Sequence, residues 1–159
     1  MASTNLTINT GFLTIPTILD ANVHSNAAIG AGKTIHRMHV VFSQNGNVAA
    51  ATQFEDIING STASVKSIYA MCSTAPSSYT GGTVDIKYMR SGSATSLLSS
   101  AFGLTAANFA AAGTRYNIPL NTTPTTINTA DAIQFVVVAG SGGTALAGLI
   151  VVVEIDVTP

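Results

Sequence analysis

The stretch AAIGAGKTIHRMHVVF, residues 27–42, decides the fold, because its two halves point to different architectures. Ala27 to Thr34 fits a phosphate-binding loop with Ala in the first position, closing on Gly32, Lys33 and Thr34. Such a loop must feed a helix, since the helix N-terminus supplies the N–H groups and the positive dipole end that hold phosphates. Residues 34–42 do not read as a helix. They are rich in β-branched side chains and alternate, with His36, Met38, Val40 and Phe42 on one side and Ile35, Arg37, His39 and Val41 on the other. Alternation of period two predicts a strand. Residues 29–33 are then a glycine turn leading into it.

The far end supports the same choice. LIVVVEID, residues 149–156, imitates the apolar strand and acid that hold magnesium in nucleotide-binding enzymes. Those enzymes need several helices to cover a parallel sheet. Only residues 105–112 suggest a helix, with Thr105 as N-cap and Gly113 as the stop. Further strands are predicted at residues 12–19, where Pro16 marks an edge or bend, and at 64–72, 83–90, 116–120, 132–139 and 145–157. Residues 64–72 alternate Val65, Ser67, Tyr69 and Met71 against Lys66, Ile68, Ala70 and Cys72. SQNGN, STAPSSYTGG, RSGSATS and NTTPTT have turn and loop compositions. Gly140-Ser141-Gly142-Gly143 reads as a flexible hairpin-type connection between the last two strands.

About eight short strands with one short helix predict an all-β protein, an antiparallel β-sandwich that is jelly-roll-like. An immunoglobulin-like sandwich carries the same pattern. The expected organisation is an N-terminal arm at residues 1–10 and a single β-sandwich domain at 11–159.

Charged residues make up 8% of the chain and the formal net charge is −1, against about 25% charged in an average soluble protein. No basic field exists for nucleic acid or an anionic membrane, so neither is expected as a partner. Low charge lowers the desolvation cost of burying surface against neighbours, which favours association. MASTNLTINTG lacks a basic start and a long apolar stretch, so synthesis in the cytoplasm is expected. The run at 145–153 is far shorter than the ~20 residues that cross a bilayer.

Catalytic chemistry is hard to assemble from these residues. His36 and His39 sit three apart on a strand and face opposite sides, so they share no local metal site, and His24 lies in a loop. Glu55-Asp56 is an acidic pair on what reads as an exposed loop, without the regular spacing of a calcium loop. A paired-carboxylate sugar hydrolase would want aromatic platforms, and the chain has no Trp. Asp131 opens a strand after Asn128-Thr129-Ala130 and is expected to order that turn by accepting backbone N–H bonds. Cys72 reads as a small buried core residue. No GxSxG, HExxH or CxxC occurs. The expectation is a protein that is not an enzyme, with no cofactor and no metal.

The second half resembles a known group. TVDIKYMRSGSATSLLSS, then LTAANFAAAGTRYNIPL, then TTINTADAIQFVVVAGSGGTALAGLIVVVEI, is similar to the β-sandwich proteins of tailed-bacteriophage virions. The phrase in common is a short loop, Asp131, an apolar strand to Val138, the glycine turn at 140–143 and the apolar strand from Gly148. Ala130 stands where that phrase usually has Gly. The small size and short polar arm are most like a head decoration (cement) protein. The resemblance implies binding to the outer surface of the assembled head, bridging of major capsid protein subunits, assembly as a homo-oligomer, a trimer, and a virion location. It also implies capsid contact through the arm, at Ala2, Ser3, Thr4, Asn5, Leu6 and Thr7. The alternative it leaves open is a receptor-binding or fibre-tip domain of the tail.

Overall fold

In the computed structural model, which describes residues 36–56, 62–121, 126–128 and 130–158, the predicted alternation becomes two stacked antiparallel sheets. The strands are β1 (His36–Asn47), β2 (Ala51–Asp56), β3 (Thr62–Met71), β4 (Thr83–Arg90), β5 (Ser93–Ser96), β6 (Phe102–Gly103), β7 (Tyr116–Ile118), β8 (Thr126–Ile127), β9 (Ala132–Val138) and β10 (Ala147–Thr158). One sheet has the order β1-β10-β3-β7, with β8 also on β3; the other has the order β2-β9-β4-β5, with β6 also on β4.

The pairing is nested. β1 pairs with β10, β2 with β9, β3 with β7 and β8, and β4 with β5, all antiparallel. A long antiparallel hairpin folded over itself gives this pattern, and successive strands up to β4 alternate between the sheets. That is a jelly roll. The immunoglobulin-like alternative fails, because there the strands of one hairpin stay beside each other and the first strand does not pair with the last.

The core lies between the sheets. β10 sends Leu149, Val151, Val153, Ile155 and Val157 inward, and β9 sends Ile133, Phe135 and Val137. Phe42 of β1 stacks on Phe135 of β9 with ring centroids 5.6 Å apart, joining one sheet to the other. Connections seal the ends with Leu97, Leu98, Leu104, Phe109 and Leu146, all buried. Cys72 is buried, and desolvation pushes its thiol pKa up, as a core residue requires.

Four sequence expectations need correction. The strand 64–72 does not alternate without interruption. Glu154 of β10 faces Ser67 and Ile155 faces Val65, so Lys66 is an extra residue in a β-bulge. The bulge shifts the parity and puts Val65 against the core with Ala63, Ile68, Ala70 and Cys72.

The helix expected at 105–112 is a single turn. Asn108 N–H and Phe109 N–H both donate to the Thr105 carbonyl, at 3.1 and 2.9 Å, and Thr105 Oγ1 accepts from Asn108 N–H as a cap would. The turn stops there because Asn108 Nδ2 donates to Gly103 O and Phe109 is drawn in between Phe102 and Tyr116. Residues 110–114 are exposed, so no apolar face rewards further turns against the nucleation cost.

Residues 140–143 are not a hairpin, since β9 and β10 belong to different sheets. The segment crosses between them and is zipped to the β3–β4 connection by bridges Thr80 with Ser141, Ser77 with Thr144 and Thr74 with Ala147. The glycines are there for close approach. A Cβ on Gly143, whose φ is +50°, would lie 1.9 Å from Ser77 O, and one on Gly140 would lie 2.3 Å from Thr80 O.

Glu55 and Asp56, finally, are the end of β2 rather than an exposed loop. The apolar, β-branched neighbourhood of their partners Ile133 and Ala132 extends the strand through them. The predicted strand at 12–19 and the glycine turn at 29–33 lie outside the described residues.

Candidate interaction surfaces

Glu55, Asp85, Asp131, Glu154 and Asp156 are each engaged with a neighbouring side chain. At the foot of the sandwich Asp131 is buried and accepts from Arg90 Nε at 3.0 Å and Nη2 at 2.6 Å. Its Oδ2 also accepts Asn128 N–H at 2.8 Å, the turn-ordering bond expected from sequence. Arg90 Nη2 reaches on to Thr126 O at 2.9 Å. The Arg90 guanidinium holds the Asp131 carboxyl below the ordinary carboxylate range, against the opposing effect of burial, and the Asn128 N–H adds to it. This knot ties the end of β4 to β8 and to the start of β9. Arg90 was invisible in the sequence, 41 positions away from its partner.

The outer face of the β1-β10-β3-β7 sheet carries rows of paired charge. Cross-strand rows set Arg37 beside Asp156 and His39 beside Glu154, with Ser67 on the other flank of Glu154. Arg37 Nε donates to Asp156 at 3.0 Å, and this bond holds the Asp156 carboxyl below its ordinary value. Glu154 accepts from Ser67 Oγ, with His39 Nε2 at 3.4 Å and Arg115 Nη2 at 3.8 Å. The Ser67 hydrogen bond is the chief reason its carboxyl is also lowered, with Arg115 and His39 contributing. Arg115 in turn lies over the Tyr69 ring, 3.7 Å from its centroid. Beyond these rows the face turns apolar at Val41, Ile150 and Met71.

The outer face of the other sheet is different. By register its charged residues are Asp85, Lys87 and Asp56; Asp85 and Lys87 sit 3.6 Å apart, and Asp85 also accepts from Ser96 Oγ at 2.6 Å. The rest is Thr52, Phe54, Thr83, Met89, Ala94, Ala132, Gln134, Val136 and Val138, placed on one face by register. Phe54 is 56% exposed and Val138 48%. Nothing in the local pattern of ATQFED distinguished Phe54 from a core residue, since its outward direction follows from pairing with Gln134.

Among the described residues no group of three or more His, Cys, Asp or Glu is placed to hold a metal ion. No helix among them is long and apolar enough to cross a membrane. The residues expected to touch a capsid, Ala2, Ser3, Thr4, Asn5, Leu6 and Thr7, lie outside the described residues, as do His24 and Lys33.

The fold is a β-sandwich of jelly-roll topology with two outer sheet faces. No protein-family profile matches the chain, and no curated protein matches it. A chain in the structure of infectious bursal disease virus, Gx strain, is similar over 79% of this chain, at 14% identity and a TM-score of 0.33. This chain spans 38% of that one.

Proposed function

We propose that the chain is a virion structural protein, a head decoration protein that binds the outside of an assembled bacteriophage head as a homo-oligomer and bridges major capsid protein subunits. The observation that carries this reading is the outer face of the β2-β9-β4-β5 sheet. It is broad and poor in charge, and it exposes Phe54 and Val138 among short polar side chains. Such a face suits a protein lattice, where charge-poor surface is buried at low desolvation cost, and it does not suit a polyanion. The resemblance of residues 83–157 to phage virion sandwiches points the same way. Binding only to the assembled head stabilises it by mass action, and several copies joined together add avidity. The arm at residues 2–7 adds contacts of its own in this reading.

The experiment is co-sedimentation with expanded heads that lack the protein. Wild type is expected to pellet with heads, saturably, and to raise the temperature at which they rupture. Phe54→Ser with Val138→Ser is expected to lose most of that binding while keeping its melting temperature. Absence of binding by wild type, or undiminished binding by the double variant, refutes the assignment of this face. A chain without residues 2–10 that binds as wild type does removes the arm from the interface.

A further inference from the structure

β1 and β2 are the terminal strands of their sheets and, among the described residues, each is paired on one side only. A free strand edge invites another strand, and proteins that must stay apart guard it with short strands or charges turned inward. β2 is guarded. It has six residues, and Gln53 and Glu55 occupy its inward positions, opposite Phe135 and Ile133. Gln53 Nε2 donates to Glu55 there.

β1 is longer and has no carboxylate at its inward positions, His36, Met38, Val40, Phe42 and Gln44. It keeps unbroken register with β10 over nine positions, His36 to Gln44, before a bulge at Asn45 and Gly46 ends the regular run. Gly46 has φ +72°, and Gln44 closes the following turn by bonding both N–H and C=O of Ala49. Within those nine positions the inward side chains Val40 and Phe42 are apolar, and Val41 stands outward, 46% exposed. Arg37 is not free to repel a neighbour, since it is bonded to Asp156, and His39 lies against Glu154. Neither Lys nor Pro occurs in it.

We propose that β1 pairs antiparallel with β1 of a second copy about a two-fold axis at Val41, so that the two β1-β10-β3-β7 sheets become one. A two-fold contact requires a self-complementary patch, and this one is. With Val41 facing its own copy, His39 falls opposite Ser43 and Arg37 opposite Asn45, so no like charges meet. The exposed valines cover each other, and cross-strand pairs of this kind are the unit of sheet stability. The N–H and C=O groups of the edge that have no strand partner among the described residues gain one. The same operation on β2 would close a sheet over the inward Glu55 and is disfavoured. This contact is two-fold, unlike the three-fold assembly that the family resemblance implies, and it stands whether or not the chain decorates a capsid. A nine-residue edge is small beside the roughly 1,600 Å² of a standard interface, so the dimer exchanges with monomer.

The test is light scattering of the full chain over a concentration series. Wild type is expected to rise from the mass of one chain toward two. Val41→Lys, a lysine on an exposed edge position, is expected to hold at one, and Phe54→Lys on the guarded edge to behave as wild type. A second measurement does not depend on the lysine variant folding. Under oxidation Val41→Cys should cross-link into a dimer on a non-reducing gel, and Phe54→Cys should not, because directly opposed strand residues lie at disulfide distance. A wild type that stays at one chain because its edge is covered otherwise, a mass of three chains, or cross-linking through position 54 and not 41 overturns the proposal.

Discussion

Gly143→Ala is the sharpest perturbation of this fold, because two separate costs meet at one atom. Gly143 has φ +50°, where an L side chain costs about 1–2 kcal/mol. The added Cβ would also stand 1.9 Å from Ser77 O and 2.9 Å from two carbonyl carbons. Those are backbone atoms, so no side chain can swing aside. Relief requires the two connections to part, and next to the clash lies the bridge in which Ser77 N–H donates to Thr144 O at 3.0 Å and Thr144 N–H to Ser77 O at 2.8 Å. Losing both bonds costs about 2 kcal/mol, at roughly 1 kcal/mol each. The total is about 3–4 kcal/mol, or a fall in Tm on the order of 10 °C for a domain of this size. Gly113→Ala is the matched control: its φ is +70° and nothing lies within 4 Å of its Cβ, so only the conformational cost applies. Any gain from stiffening the unfolded chain is common to both and cancels. Urea unfolding followed by circular dichroism gives the difference, expected at about 2 kcal/mol. If Gly143→Ala comes within about half a kcal/mol of Gly113→Ala, the zipped contact between the connections is not what the geometry says, and the reasoning fails.

Asp131→Ala is expected to cost about 2–3 kcal/mol in the same assay, below the 3–5 typical of a fully buried pair because Arg90 is 41% exposed. The pH dependence follows from the lowered Asp131 carboxyl: its folded pKa lies below its unfolded one, so the unfolded chain takes up the proton first. Its stabilisation is therefore complete above the ordinary Asp range, near pH 4, and is lost as pH falls through the lower folded value. Wild type and Asp131→Asn should converge in stability on acidification; curves that stay parallel from pH 6 to pH 2.5 would contradict the pairing. Phe135→Ala, which removes a fully buried ring stacked on Phe42, should cost about 3–5 kcal/mol. An unchanged urea midpoint would mean that the two sheets are not joined there.

What the sequence determined by itself is local. Alternation of period two identified β1, β3, β4, β7, β9 and β10, though not the short β2, β5, β6 and β8, and set Val40 and Phe42 on one face, because neighbouring side chains of a strand must point to opposite faces. It also placed a strand where a nucleotide loop would need a helix, and it gave Asp131 its turn-ordering bond. It reached neither the Arg90 half of that knot nor the outward exposure of Phe54, which depend on chain segments far apart in sequence. Where locality failed, the tertiary structure decided. The bulge at Lys66 changed the face of Val65, and a helix-like run at 105–112 was cut to one turn by the pull of Phe109 into the core. The pairing of first strand with last separated jelly roll from immunoglobulin-like order. The reason is the same each time: period and propensity act over a few residues, while register, sheet membership and the choice of edge are set by burying one apolar face against another across the whole chain.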